Sequence, residues 1–196
     1  ATYFDMPMVL LLAINNGRMT NTDELIGLET GYLSDMKSFD EVLEAYDKQM
    51  KYWCDRMVAS ICTMDHIHQA YKPLPYLSLL VDDCVERGKD VSAGGAVYNH
   101  CGPQGVGLGT VTDSLATIKQ LVFDEKQYTG EDILKAIKAN WEGYEKLQAY
   151  VNSDKIHHYG NDDDYADEIA KFAMETYCKH VEHRPTAHGG EFQPGV

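Results

Sequence analysis

Gly94-Gly95-Ala96-Val97-Tyr98-Asn99-His100-Cys101-Gly102-Pro103-Gln104-Gly105-Val106-Gly107-Leu108-Gly109 is the stretch on which the fold turns. Ala96 to Cys101 alternates small or aromatic residues with polar ones, which predicts a short β-strand. On that alternation Ala96, Tyr98 and His100 share one face, and Val97, Asn99 and Cys101 share the other. Six glycines between Gly94 and Gly109 allow a backbone approach that side chains would block. Thr110-Val111-Thr112-Asp113-Ser114 then offers hydroxyl and carboxylate caps for a helix from about Thr112 to Phe123. Strand, glycine loop and capped helix make a βα unit, a junction at which catalytic groups commonly sit.

Helical patterns surround this stretch. Met8 to Asn16 is apolar and stops at Gly17, which predicts a helix with a glycine end. Arg18 to Lys37 is polar and reads as a surface excursion. Ser38-Phe39-Asp40-Glu41 is a capping box. Behind it Val42, Tyr46, Met50, Trp53, Met57, Ile61, Met64 and His68 recur at steps of three and four, a helix of roughly eight turns or more. Pro73 and Pro75 suit a first helical turn, so Leu77 to Val85 is expected as an apolar helix ended by Gly88. Thr129-Gly130-Glu131-Asp132 caps a further long helix carrying Ile133, Leu134, Ile137, Trp141, Tyr144, Leu147 and Val151. Asp162 to Asp164 place negative charge at the start of a last helix through His183. The tail from Arg184 to Val196 is rich in Pro, Gly and His and reads as loop.

The bulk composition narrows the function. With 196 residues, 44% of them hydrophobic, the chain is long enough for one good-sized core. A formal net charge of −14 repels nucleic-acid phosphates and anionic membranes, so neither is expected as a partner. The apolar run Met8 to Ile14 falls short of the roughly 18 residues of a membrane span, and no secretory signal pattern opens the chain. Five cysteines without a C-x-x-C pair point to reduced thiols and a cytoplasmic setting. With Ala rather than Met at its first position, the chain is expected to be a piece of something longer.

Few constellations carry chemistry by themselves. Gly105-x-Gly107-x-Gly109 before a helix lacks the Walker lysine and the G-x-G-x-x-G spacing, so a tight turn is the better reading than phosphate binding. Cys101 has no nearby cation to lower its pKa, which favours a small hydrophobe over a reactive thiolate. His66 and His68 lie about 200° apart on a helix and cannot grip one metal. Cys178, His180, His183 and His188 do not share one face, and Asn161 to Asp164 lacks an EF-hand continuation.

Longer motifs carry a resemblance. Leu79-Leu80-Val81-Asp82-Asp83-Cys84-Val85-Glu86-Arg87-Gly88-Lys89-Asp90-Val91, running into Gly94-Gly95-Ala96-Val97-Tyr98-Asn99, resembles the glycyl radical enzymes of the pyruvate formate-lyase type. Gly102-Pro103-Gln104-Gly105-Val106-Gly107, Asp113-Ser114-Leu115-Ala116, Gly160-Asn161-Asp162-Asp163-Asp164-Tyr165 and Phe192-Gln193-Pro194-Gly195 fit the same pattern. The resemblance is closest to the branch of glycerol and diol dehydratases, choline trimethylamine-lyase and hydroxyproline dehydratase. It implies an α/β fold, a ten-stranded barrel with helices outside, of which residues 1–196 would be a partial, mostly helical domain.

It also implies a glycyl radical near the C-terminus of the whole enzyme, passed to a cysteine on a loop inside the barrel. An activating enzyme that uses an iron–sulfur cluster and S-adenosylmethionine would install the radical. A small polar substrate, and a homodimer of the whole enzyme, belong to the same expectation. The catalytic motif Gly-Cys-x-Glu-Pro and the radical motif Arg-Val-x-Gly-Tyr are absent from these residues. They are expected before Ala1 and beyond Val196, so no catalytic residue and no directly bound cofactor or metal is expected here.

What the segment would contribute is pocket wall, with Tyr3, Tyr98, Asn99 and His100 as the substrate-pocket candidates. Asn99-His100-Cys101 brings no carboxylate, which argues against arylacetate decarboxylation and for a dehydratase or C–N lyase. The competing expectation is a non-catalytic helical binding or scaffold module.

Overall fold

The computed structural model describes residues 2–195, which form two compact units. The larger contains residues 5–53 and 105–177; the other contains residues 2–4, 54–104 and 178–195. Two short strands, β1 (Tyr3–Asp5) and β2 (Gln104–Val106), pair in a two-stranded sheet. Seven α-helices accompany them among the described residues. None of these is long and apolar enough to cross a membrane.

The larger unit is a helical core. Helix α1 (Met6–Ile14) starts where the Asp5 carboxylate accepts the Met8 N–H at 3.0 Å, and it carries Pro7 in its first turn. Met6, Val9, Leu10, Leu12, Ala13 and Ile14 are all buried, so α1 is a core helix rather than an amphipathic surface one. It packs on α4 (Leu108–Ile118). Gly17 ends the α1 region at φ +73, where a Cβ would run into the Leu28 carbonyl. Helix α2 (Phe39–Tyr71) is 33 residues long, about 50 Å at 1.5 Å per residue. Its residues Val42, Ala45, Tyr46, Gln49 and Met50 are buried at helical spacing in this unit. Helix α7 (Asp164–Val181) buries Ala166, Ile169, Ala170, Ala173 and Tyr177 in the same way, and Phe172 meets Tyr46 with ring centres 6.4 Å apart.

In the smaller unit Asp90 organises the turns after α2. Its carboxylate accepts from Ser78 Oγ at 2.8 Å, Ser92 Oγ at 2.5 Å and the Leu74 and Ser92 backbone N–H groups. The Ser92 hydroxyl, with Ser78 and the two amides, holds the Asp90 carboxyl down at about 2 despite some desolvation.

Four expectations give way here. Residues 96–100 are bends and coil, not a strand; extended pairing begins only at Cys101. The apolar run Leu77–Val85 is not a helix: α3 (Pro75–Ser78) is four residues long, and turns follow, with Asp83 at φ 72. The run is hydrophobic but has no helical period, and Leu79, Leu80 and Val85 stay exposed. The single helix expected through Val151 is two, α5 (Gly130–Lys138) and α6 (Glu145–Val151). Asn140, Trp141 and Gly143 between them adopt positive φ, and that breaks the ladder. Finally, α4 begins at Leu108 behind Gly107 (φ 88). Thr112 and Ser114 do not cap it; their hydroxyls bond back to the carbonyls of Leu108 and Thr110, four residues earlier. From Lys119 to Asp124 it continues as a π-helix.

Other expectations stand. Thr129 and Asp132 form the reciprocal capping box of α5; at the start of α2 only half of the expected box forms, as Ser38 Oγ accepts the Glu41 N–H while the Glu41 carboxylate accepts the Lys37 N–H instead. The glycines of the opening stretch serve packing. A Cβ on Gly105 would press on the Tyr177 ring at 3.0 Å, and one on Gly107 would lie 2.6 Å from Pro7.

Candidate functional site

Three extended segments of the smaller unit lie side by side. The Gln104 N–H donates to the Thr2 carbonyl at 2.8 Å, which ties 101–104 to the start of β1. On its other side the same segment runs parallel to the tail. Cys101 pairs with Phe192 and Gln104 with Gly195, and both bridges hold one register, each residue facing the one 91 positions later. The connecting bonds run from Cys101 N–H to Glu191 O (3.3 Å), Gln193 N–H to Cys101 O (2.9 Å) and Gly195 N–H to Pro103 O (2.9 Å). Parallel pairing of distant segments is what a barrel of crossover units requires.

Burial alternates along all three segments, as a half-covered sheet demands. Phe4, Pro103 and Phe192 point into the unit, Phe192 completely. Tyr3, Gly102, Gln104, Glu191 and Gln193 are exposed, Tyr3 at 81%. The register sets Gly102 beside Gln193, His100 beside Glu191 and Gln104 beside Gly195, all on the open face.

The tail is fixed rather than loose. The His183 N–H donates to Phe192 O at 3.2 Å and the Phe192 N–H to Arg184 O at 2.8 Å, closing a hairpin. Arg184 Nη1 bonds Asp55 Oδ1 at 2.6 Å. Two glycines let residues 94–99 sit against it. A Cβ on Gly94 (φ +82) would come within 2.5 Å of the His188 carbonyl, and one on Gly190 would overlap the Asn99 carbonyl.

The open face is nearly neutral. The Glu191 carboxylate is bonded by His183 Nδ1 at 2.9 Å, and that bond raises the His183 pKa, while Asp5, exposed next to Tyr3 on β1, accepts the Met8 N–H. Among the described residues no lysine or arginine stands on it. The Gln104 and Gln193 carboxamides make no side-chain hydrogen bond to the described residues and are free to donate and accept. Cys101, on the opposite face, has its thiol pushed up by burial, so it stays protonated and is a packing residue. Burial likewise pushes Cys54 up to about 12, against the pull of Arg184. Among the described residues no three His, Cys, Asp or Glu side chains converge to hold a metal.

Of the four sequence candidates, Tyr3 and His100 stand on the open face. Tyr98 is 83% exposed on the coil before it. Asn99 is half-buried, and its amide donates to the Ala96 carbonyl at 2.6 Å, a turn-forming role. Gln104, Glu191 and Gln193 were not legible as site residues, because the Gly and Pro around them read as loop. The one signal was the polar–apolar–polar triplet Glu191-Phe192-Gln193; Gly102 to Val106 carries no such alternation in its residue types.

The "Pyruvate formate lyase-like" family model matches residues 1–196. The chain is 52% identical, over its whole length, to the (2S)-3-sulfopropanediol dehydratase of Klebsiella oxytoca, of which it covers 24%. It superposes on the hydroxyproline dehydratase of Clostridioides difficile, solved with trans-4-hydroxy-L-proline bound, with a TM-score of 0.92 at 44% identity, covering 98% of this chain and 24% of that one. With the glycerol-bound B12-independent glycerol dehydratase of Clostridium butyricum the TM-score is 0.91 at 36% identity, covering 99% and 24%. The chain therefore spans about a quarter of the length of these relatives.

Proposed function

The chain belongs to the pyruvate formate lyase-like family, and from that premise we propose that it builds part of the pocket wall of a glycyl radical dehydratase. The observation that carries this reading is the ladder of residues 2–4, 101–104 and 191–195, packed on one side and open on the other. In a barrel with its helices outside, the side facing away from the packed core is the lumen. Tyr3, His100, Gln104 and Gln193 then face the substrate.

The whole protein's glycyl radical, relayed through a cysteine outside this chain, supplies the hydrogen abstraction that starts the reaction. The residues of this chain bind and orient. A phenol, an imidazole and two carboxamides offer neutral donors and acceptors matched to hydroxyl groups. Fixing a hydroxyl beside the carbon that loses hydrogen favours its departure, and one hydrogen and that hydroxyl leave as water. The matched relatives are named for a sulfonated diol, hydroxyproline and glycerol, which share a small polar skeleton bearing a hydroxyl. Dehydration of such a substrate is the reading those names support. Radical installation by a separate iron–sulfur, S-adenosylmethionine-dependent enzyme, and a cytoplasmic setting, are parts of the same proposal.

The alternative of a free-standing scaffold module fits less well. Tyr71, Tyr76, Leu79 and Leu80 are all more than two-thirds exposed, which a module that works alone would rarely show. The test uses the whole protein, activated under anaerobic conditions. A doublet in electron paramagnetic resonance that vanishes in air, together with release of water and a dehydrated product from a small hydroxylated substrate, is the expected result. No radical, or no product with any of the three substrate types, overturns it.

A further inference from the structure

We propose that Gln193 and the gap left by Gly102 together select the substrate, with Gln193 as a hydroxyl-binding residue; this rests on the dehydratase reading above. In the ladder's register Gly102 lies directly beside Gln193 on the open face, with His100 and Gln104 as its diagonal neighbours. Adjacent strands are about 4.8 Å apart, so any side chain at position 102 would stand next to the Gln193 carboxamide. Glycine leaves that space empty. A Cβ built there meets only the Gln193 backbone carbonyl, at 3.7 Å, so neither φ nor packing demands a glycine. Its absence of a side chain is therefore free to serve the pocket.

The Gln193 backbone is pinned by its N–H bond to Cys101 O at 2.9 Å, and the next residue inward, Phe192, is fully buried. The side chain thus springs from a rigid point while its amide has no hydrogen-bond partner among the described residues. With Glu191 occupied by His183, the local face carries no free charge, which suits a hydroxyl better than a cation. Gln193 is exposed in this chain; in the closed lumen of the dehydratase reading, a carboxamide left without its partner is disfavoured, so Gln193 distinguishes substrates that present a hydroxyl there from those that do not.

The experiment uses the activated whole protein with glycerol, 1,2-propanediol, trans-4-hydroxy-L-proline and 2,3-dihydroxypropane-1-sulfonate as probes. Gln193→Ala is expected to raise KM for the preferred substrate about tenfold or more, with kcat changed less, at an unchanged radical yield. Gln193→Asn is expected to recover part of that loss. Gly102→Val is expected to lower kcat/KM for the bulkiest substrate turned over about tenfold more than for glycerol. Because position 102 is exposed and uncrowded, Gly102→Val still reports if the Gln193 variants fail to fold. Unchanged KM values and substrate ratios beside a normal radical signal overturn this proposal alone. Absence of radical or turnover in the unaltered protein overturns the dehydratase reading and this proposal with it.

Discussion

Gln49 shows how one buried polar side chain holds a loop that its sequence left undefined. Its amide donates to Leu28 O at 2.5 Å and to Thr30 Oγ1 at 3.2 Å, and its carbonyl accepts the Leu28 N–H at 3.2 Å. The residue is fully buried. Gln49→Leu keeps the volume but strands both Leu28 backbone groups, so about 2–4 kcal/mol of stability should be lost, read as an earlier urea midpoint. Asp90 makes the matching prediction in pH. Its folded pKa of about 2 lies below the ordinary carboxylate value of 3.8, so its contribution is present above about pH 4 and drains away as pH falls towards 2. Asp90→Asn should remove that acid-sensitive component, seen as a flatter dependence of the unfolding midpoint between pH 5 and 2. His183 has the opposite sign. Its raised pKa means that the bond to Glu191 stabilises below about pH 6.5 and weakens as pH rises through the folded value, so Glu191→Gln should erase a loss seen on going from pH 6 to 8. Neither Gln49 nor Asp90 stood out in the sequence, because a single polar residue gives no period and, Ser92 beside Asp90 apart, their partners lie 12–21 positions away.

Elements were legible where a local rule fixes them. The capping box Thr129–Asp132 starts α5 where the pattern placed it, and Thr129→Ala should cost about 1 kcal/mol of stability. The long period of α2 and the acidic start of α7 were equally plain. Two errors share a cause. Leu77–Val85 and Ala96–Cys101 were read from composition and a short alternation, yet their conformation is set by distant partners, Asp90 for one and the tail for the other. The real ladder residues, 101–104 and 191–195, sit among Gly and Pro. Those residues mark loops locally, but here they permit close parallel approach. Two of the four pocket candidates, Tyr3 and His100, stand on that ladder's open face; the glutamines were hidden by the same Gly and Pro. The break at Asn140 and Trp141 was also invisible, since neither residue is a strong helix stop.

At the scale of the molecule, the surface itself argues for a larger body. The smaller unit exposes Tyr71, Tyr76, Leu79 and Leu80, and the ladder leaves Tyr3, Gln104 and Gln193 open. Apolar exposure of that kind marks faces that meet other protein, while the neutral polar ladder face is suited to a small molecule. The chain's span of about a quarter of its relatives' length agrees with both. Family membership was legible from the longer motifs, whereas which residues share the ladder's open face required the register of Cys101 against Phe192 and of Gln104 against Gly195. The most direct measurement is a crystal structure of the whole protein with a small hydroxylated substrate bound. The substrate is expected within hydrogen-bond distance of Gln193, on the face that carries Tyr3, His100 and Gln104. A substrate seated elsewhere, with that face covered by polypeptide or turned to bulk solvent, would contradict it.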